Sequence, residues 1–457
     1  MSDSNTSYYY KYKGRLSTGW LFNRPVDNSD KQYAGFRNNL MALTLLFTLF
    51  SLSSVMFKNT KRNTFYLFVS GIFLFILHEF GAAMILLLVS INYIIAKKFN
   101  RTKFNPALTW ILNILYLCLM EYAENILVPR FSVGLPLVGS VRRWPVYFKV
   151  TLLRMISFNI DYYKSFSIMK DESKECNFAE LTLQVNLSSE RGRSEKWHSN
   201  EEYSFKNYLI YLFYPPLYLA GPIVTFNNFQ YQINLPKPIT NAKDTMIYGV
   251  RWIISWFCME CLMHSFHVVA IKDAKAWTTL NAYELASVGF WNLISIWLKL
   301  LIIWRFHRFW ALVDGIEAPE NMMRCMCNNY SAQGFWRSWH RSFNQWIIRY
   351  LYIPLGGSRT ALYNIWIVFT FVALWHDFSV RMIAWGWLIS LFILPEIVAG
   401  WVDKRFRLER LKYYRNLCAV GGAVNVFTMM SGNLVGFALG LDGMKYLIEQ
   451  ISKTNGI

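Results

Sequence analysis

His376 and its neighbour Asp377 interrupt an otherwise apolar stretch that runs from Ile365 to Leu394. An ionisable group at bilayer depth is expensive and usually faces a polar pathway or a site. Imidazole titrates near neutrality, which suits it to take or give a proton. His340 lies upstream, and between the two come Pro354 and Gly356-Gly357, which end one helix and allow a tight turn. Such a turn would bring the two histidines together. The plainer alternative is a pair of interfacial histidines held by nearby tryptophans.

Other clusters compete for attention. In "CMECLMHSFH", Cys258, Cys261, His264 and His267 have the look of a zinc site. Each step of three residues on a helix drifts by about 60°, so the four side chains fan apart and cannot surround one ion. Glu260, His264 and His267 instead form a polar stripe that either lines a cavity or bonds between helices. Arg154, Ser157 and Asp161 form a second stripe. Arg154 suits a buried ion pair, a phosphate, or a role as helix glue. "YPPLYLAGPIVTF" (214–226) places prolines inside an apolar run and predicts a broken helix around a cavity. No Walker loop, nucleophile elbow or G-x-G-x-x-G is found.

The elements that must position these residues are membrane helices. The chain has 457 residues, 54% hydrophobic and only 16% charged. That is too little charge to cover a soluble domain of this length. Apolar runs at 38–57, 65–80, 81–96, 107–127, 208–227, 246–270, 286–304, 361–376, 382–400 and 417–440 predict an all-α polytopic protein of about ten spans, some broken or re-entrant. The net charge of +19 is carried by basic clusters beside those runs, at Lys58-Lys61-Arg62, Lys97 to Lys103, Arg142-Arg143 and Arg405 to Lys412. This is the flanking pattern of membrane loops and points to lipid headgroups or cofactor phosphates, with no nucleic acid. Scattered cysteines exclude a disulfide framework. The polar residues 1–37 carry no cleavable signal. They read as a tail on the cytosolic or lumenal side of a membrane domain over 38–457. A polar loop follows at about 164–206 and a catalytic loop at about 305–360.

Within the latter, "GFWRSWHRSFNQWIIRYLYIPLGGSR" (334–359) reads as an amphipathic helix. Trp336, Trp339, His340, Phe343 and Ile347 share one face, with Arg337, Arg341 and Asn344 beside it.

"FWRSWHRSFNQWIIRYLYIPLGGS" followed by "LWHDF" resembles the membrane-bound O-acyltransferase superfamily. "GWLFNRPVDNSD", "SIWLKLLIIWRFHRFWALVDGIEAPENM" and "WLISLFILPEI" resemble its fungal glycerol uptake (Gup) branch, related to Hedgehog acyltransferase. The resemblance runs from about residue 16 to 445. It implies helices around a central tunnel, with acyl-CoA entering from the cytosol and a hydroxyl acceptor from the lumen. His376 matches the family's catalytic histidine. His340 matches a second position that is His, Asn or Asp in different branches. The branch implies an endoplasmic reticulum or plasma membrane location. It also implies remodelling of GPI anchors by acylating the lyso-lipid of anchored proteins, and a link to glycerol uptake. In the Hedgehog acyltransferase branch a cysteine of this loop can ligate haem, which makes Cys325 a candidate against a free or acylated thiol.

On this reading His376 is the general base and His340 orients the acceptor or stabilises the oxyanion. Arg337, Arg341, Trp336 and Trp339 seat the cofactor. The rival readings are a proton-coupled glycerol transporter and a non-catalytic regulator of acylation.

Overall fold

Asn241, Asn281 and Ser379 open three of the apolar helices with side-chain caps, and the last of these helices continues through Pro395. The computed structural model describes residues 8–21, 23–57, 62–122, 144–171 and 186–453. Arg142-Arg143, Lys58, Lys61 and part of the 164–206 loop lie outside the described residues. The principal helices in chain order are α1 (Lys31–Asn38), α2 (Leu40–Met56), α3 (Arg62–His78), α4 (Phe80–Lys98), α5 (Asn105–Tyr122), α6 (Trp144–Asp171), α7 (Phe205–Phe213) and α8 (Phe226–Ile233). The second half adds α9 (Ala242–Ser265), α10 (Ala282–Val313), α11 (Ala332–Ser338), α12 (Arg341–Ile347), α13 (Ala361–His376), α14 (Val380–Phe406), α15 (Tyr414–Asn433) and α16 (Gly440–Lys453). Asn281 starts α10 with a capping box. Its side chain accepts from the Glu284 amide, and its own amide donates back to the Glu284 carboxylate. Among the described residues, strand is confined to Leu16–Ser17 paired with Val26–Asp27.

Among the described residues five helices are long and apolar enough to cross a membrane, or six if α1 and α2, bent by 53°, form one span. The shorter apolar helices α3 and α13 have 17 and 16 residues. The run at 208–227 is broken, as its prolines predict. Tyr214 leaves the helical region, Pro215–Tyr218 makes a single turn, and α8 starts only after the Thr225 cap.

Arg154 repairs that break. The side chain is buried, and its two terminal nitrogens donate to the carbonyls of Leu212 and Leu217 at 2.8 and 2.6 Å. Those carbonyls flank the interruption, where a membrane interior supplies no water to satisfy them. Arg154 is therefore helix glue. It neither pairs with Asp161 nor is available to a phosphate.

The described part of the N-terminal segment docks onto the helices. Trp20 Nε1 and Tyr33 OH donate to the Glu260 carboxylate at 2.9 and 2.6 Å, and Arg37 stands 3.7 Å from it. Asp27 accepts from the Ala270 amide, and Asp30 pairs with Lys299 at 2.6 Å. The polar stripe of α9 is thereby sealed, since Glu260 and His264 are both fully buried. The helix ends at Ser265, so His267 lies beyond it and faces the Pro25 carbonyl. The cavity-lining reading of this stripe is corrected: the segment that covers it is distant in sequence.

Helices α13 and α14 form an antiparallel hairpin through a short link. Gly386 permits their close approach, because a Cβ there would meet the Phe369 carbonyl oxygen at 2.8 Å.

Candidate active site

The loop carrying His340 is not one helix. It contains α11, an extended Trp339, a left-handed His340, α12, and a π-helical turn over Ile348–Tyr352. The single amphipathic face of Trp336, Trp339, His340, Phe343 and Ile347 therefore does not exist. The physical reason is that outside groups satisfy the backbone that a continuous helix would have satisfied internally. Ser331 caps α11 through the Gly334 amide, and Glu396 of α14 accepts from Ser331 Oγ and the Ala332 amide. A carboxylate is well placed at a helix N-terminus. Asn321 supplies its carbonyl to the Arg341 amide at 3.1 Å and Oδ1 to the Ser342 amide at 3.0 Å. Met322 and Trp339 form a β-bridge. Downstream, Gly356 and Gly357 have φ of +102° and +59°, the turn that the Gly-Gly pair predicts.

His340 has φ +47° and ψ 51°. Few residues other than glycine occupy this region, Asn and Asp most readily, and such conformations gather at functional sites. Its ring stacks on Trp304 with centroids 4.4 Å apart and planes 16° apart. Phe343 and Trp375 lie at 5.1 and 6.3 Å. We expect His340→Asn to keep the melting temperature of the detergent-purified protein within a few degrees. His340→Val, β-branched, should lower stability by about 1–3 kcal/mol. Equal stability of the two variants would show that the backbone is not constrained here.

His376 ends α13, and Asp377 leaves the helix in an extended conformation. Asp377 therefore is not on the helix that the sequence suggested, and among the described residues no carboxylate bonds the His376 ring. His376 is exposed, and His340 is half-buried. Trp375 is near both rings, its centroid 6.3 Å from that of His340. Trp375 stands between them, 4.8 Å from His376 between centroids. The structure thus brings together the two histidines that the sequence singles out.

The four cofactor candidates are more dispersed. Trp336 packs edge-on against Phe369 and Trp385, and Trp339 stacks on Phe335. Arg337 is exposed and reaches Gln333. Arg341 is half-buried and stands 4.0 Å from Glu190. Burial pushes the Glu190 carboxyl up, and Arg341 opposes this. Cys325 and Cys327 are both exposed. The loop offers a thiol there but no enclosed apolar slot for a porphyrin, so haem does not fit. Among the described residues no group of three or more His, Cys, Asp or Glu side chains is placed to hold a metal.

Sequence reasoning missed the residues that hold the loop. Arg349 donates to Asp161 at 3.1 Å and to the Ser194 carbonyl at 2.7 Å. Tyr350 OH donates to Asp161 and meets Ser157 Oγ at 2.8 Å. Ser342 Oγ accepts from the Ile223 amide, tying α12 to the broken-helix segment. The available signal was Arg349 itself, a basic residue inside an apolar stretch. An apolar groove of about 800 Å³ also runs along α13. Leu374 and Phe378, which flank His376 in sequence, line it with Trp366, Phe371 and Leu117.

Residues 40–439 match the membrane-bound O-acyltransferase (MBOAT) family. Membrane-bound O-acyltransferase gup1 of Schizosaccharomyces pombe is 41% identical over 456 residues, covering 96% of this chain and 78% of the relative. Membrane-bound O-acyltransferase GUP1 of Saccharomyces cerevisiae is 40% identical, covering 97% and 80%. Protein-cysteine N-palmitoyltransferase HHAT of Mus musculus is 26% identical over 202 residues, covering 42% and 40%. With the fold and the paired histidines, this match over most of its length places the chain in the membrane-bound O-acyltransferase family, as a multi-pass membrane acyltransferase.

Proposed function

We propose that this enzyme moves a long-chain fatty acyl group from acyl-CoA to a lipid hydroxyl, and that the acceptor is the lyso-GPI anchor of GPI-anchored proteins in the endoplasmic reticulum membrane. The observation that carries the chemistry is His376, an exposed imidazole at the end of α13 with Trp375 beside it and His340 next to the same tryptophan. The apolar groove along α13 favours an acceptor that arrives with an alkyl chain. The choice of lyso-GPI rests on the likeness to the Gup branch.

The acceptor oxygen attacks the thioester carbonyl carbon while His376 takes its proton. The carbon–sulfur bond breaks, and the CoA thiolate leaves and recovers the proton. The thioester is already activated, so no covalent enzyme intermediate is needed. His340 orients the acceptor or donates to the developing oxyanion. Arg337, exposed at the end of α11, is the better placed of the two arginines for a CoA phosphate. Arg341 would first have to leave Glu190. Trp336 and Trp339 act by shaping the wall.

Purified protein in nanodiscs, given a long-chain acyl-CoA with a lyso-GPI-type acceptor, should release CoA and form acceptor ester. Lysophospholipid, glycerol and a peptide amine serve as parallel acceptors. No product across acyl lengths, together with glycerol flux into proteoliposomes without acyl-CoA, would replace this reading by transport.

A further inference from the structure

The C-terminal end of α13 has a problem that its own chain does not solve. The last carbonyls of a helix have no internal partners and bond to water, to a cap or to a neighbouring side chain. The His376 carbonyl finds Lys149, from the second turn of α6, whose Nζ donates to it at 3.2 Å. The contact is reciprocal, because Trp375 Nε1 donates to the Lys149 carbonyl at 2.9 Å. A cation at a helix C-terminus also opposes the negative end of the helix dipole. Glu121 of α5 stands 3.9 Å from the same ammonium and steadies it. Only 12% of the Lys149 side chain is exposed, so it is held among these groups.

We propose that Lys149 is a positioning residue for the reaction: with Trp375 it clasps the end of α13 and fixes the direction in which His376 presents its ring. This rests on His376 being the base. The clasp explains how an imidazole without a carboxylate orienter keeps one orientation. Its backbone is pinned from a neighbouring helix, and its ring packs edge-on against the pinned Trp375 at 4.8 Å. The other three side chains that touch this junction, Trp375, Phe343 and His340, are all on the loop or hairpin that carries the histidines. At the end of α13 it is Lys149 that makes the tie to α6, as Ser157 and Asp161 make it for the turn after α12.

The test compares wild type, Lys149→Met, Lys149→Arg and His376→Ala in nanodiscs, by two readouts. The first is amide hydrogen exchange over 370–379. Loss of a charge-assisted hydrogen bond should speed exchange there roughly tenfold in Lys149→Met, with the rest of the chain unchanged. Lys149→Arg keeps a donor and should stay within about threefold of wild type. The second is kinetics. Lys149→Met should lose roughly tenfold in kcat with KM for acyl-CoA nearly constant, the mark of a lost alignment rather than lost binding. Unchanged exchange over 370–379 overturns the proposal. So does a loss carried wholly by KM, which would make Lys149 a substrate contact, or a chain-wide rise in exchange that arginine does not rescue. If the wild type shows no His376-dependent turnover, the acyl-transfer reading fails, while the exchange data still decide whether Lys149 clasps α13.

Discussion

Replacing His376 by alanine lowers acyl-CoA turnover by about 10²–10⁴-fold, the usual worth of a positioned general base. The loss should fall on kcat and kcat/KM alike, because the interaction removed exists only in the transition state. The protein should remain folded. The His376 side chain is exposed, and the contacts that hold this corner belong to its backbone carbonyl and to Trp375. The measurement is CoA release under single-turnover conditions, with size-exclusion and melting profiles on the same preparation. Turnover within tenfold of wild type, from a variant that folds normally, would remove His376 from the base role. It would also move the regulator reading forward.

The second large effect is on stability. Asp161 is fully buried and receives Arg349 and Tyr350 at once. Asp161→Ala leaves a guanidinium and a phenol with no anion between them. Breaking one partner out of such a buried pair costs about 3–5 kcal/mol. The π turn over Ile348–Tyr352 would lose its anchor on α6, and α12 with His340 sits directly before it. We therefore expect a lowered melting temperature in detergent, and activity that falls together with the folded fraction. Asp161→Asn, which keeps an acceptor for Tyr350 but not the charge, should fall between the two. A melting temperature for Asp161→Ala equal to wild type would mean that the network contributes specificity without stability. Arg349→Met should be milder than Asp161→Ala, because removing the half-buried cation leaves Tyr350 still bonded to the carboxylate.

The parts of this protein that were legible in its sequence are those with a local signal. Apolar runs gave the helical membrane class, Pro215-Pro216 gave the broken helix, and Gly356-Gly357 gave the turn. His376 and His340 stood out because imidazoles are rare among so many apolar side chains. The illegible parts depend on partners far apart in the chain. Nothing around residues 339–340 signals a break, since neither Gly nor Pro occurs there. The break exists because Asn321 takes over the backbone donors of Arg341 and Ser342. For Arg154 the sequence left ion pair, phosphate and helix glue open, and the side chain is spent on two carbonyls. For Glu260 it left cavity lining and hydrogen bonding open, and the partners are Trp20 and Tyr33, more than 200 positions earlier. Hydrophobic periodicity reports which face of a segment is apolar; it does not report which distant group will satisfy its polar atoms.

Helix α6 touches the catalytic assembly at two levels, through Lys149 near its start and through Ser157 and Asp161 further on. At 1.5 Å of rise per residue, twelve residues set these levels about 18 Å apart. The helix is thus a measuring rod between two anchor points. Its far mark fixes the arginine-bearing turn after His340, and its near mark fixes the end of the helix that carries His376. The spacing of these two parts is written in rigid helix rather than in loops. One residue added between the two marks would lengthen the rod by about 1.5 Å and rotate one mark against the other by about 100°. Loops elsewhere in such a protein can grow or shrink freely, whereas this stretch is held to an integer number of residues.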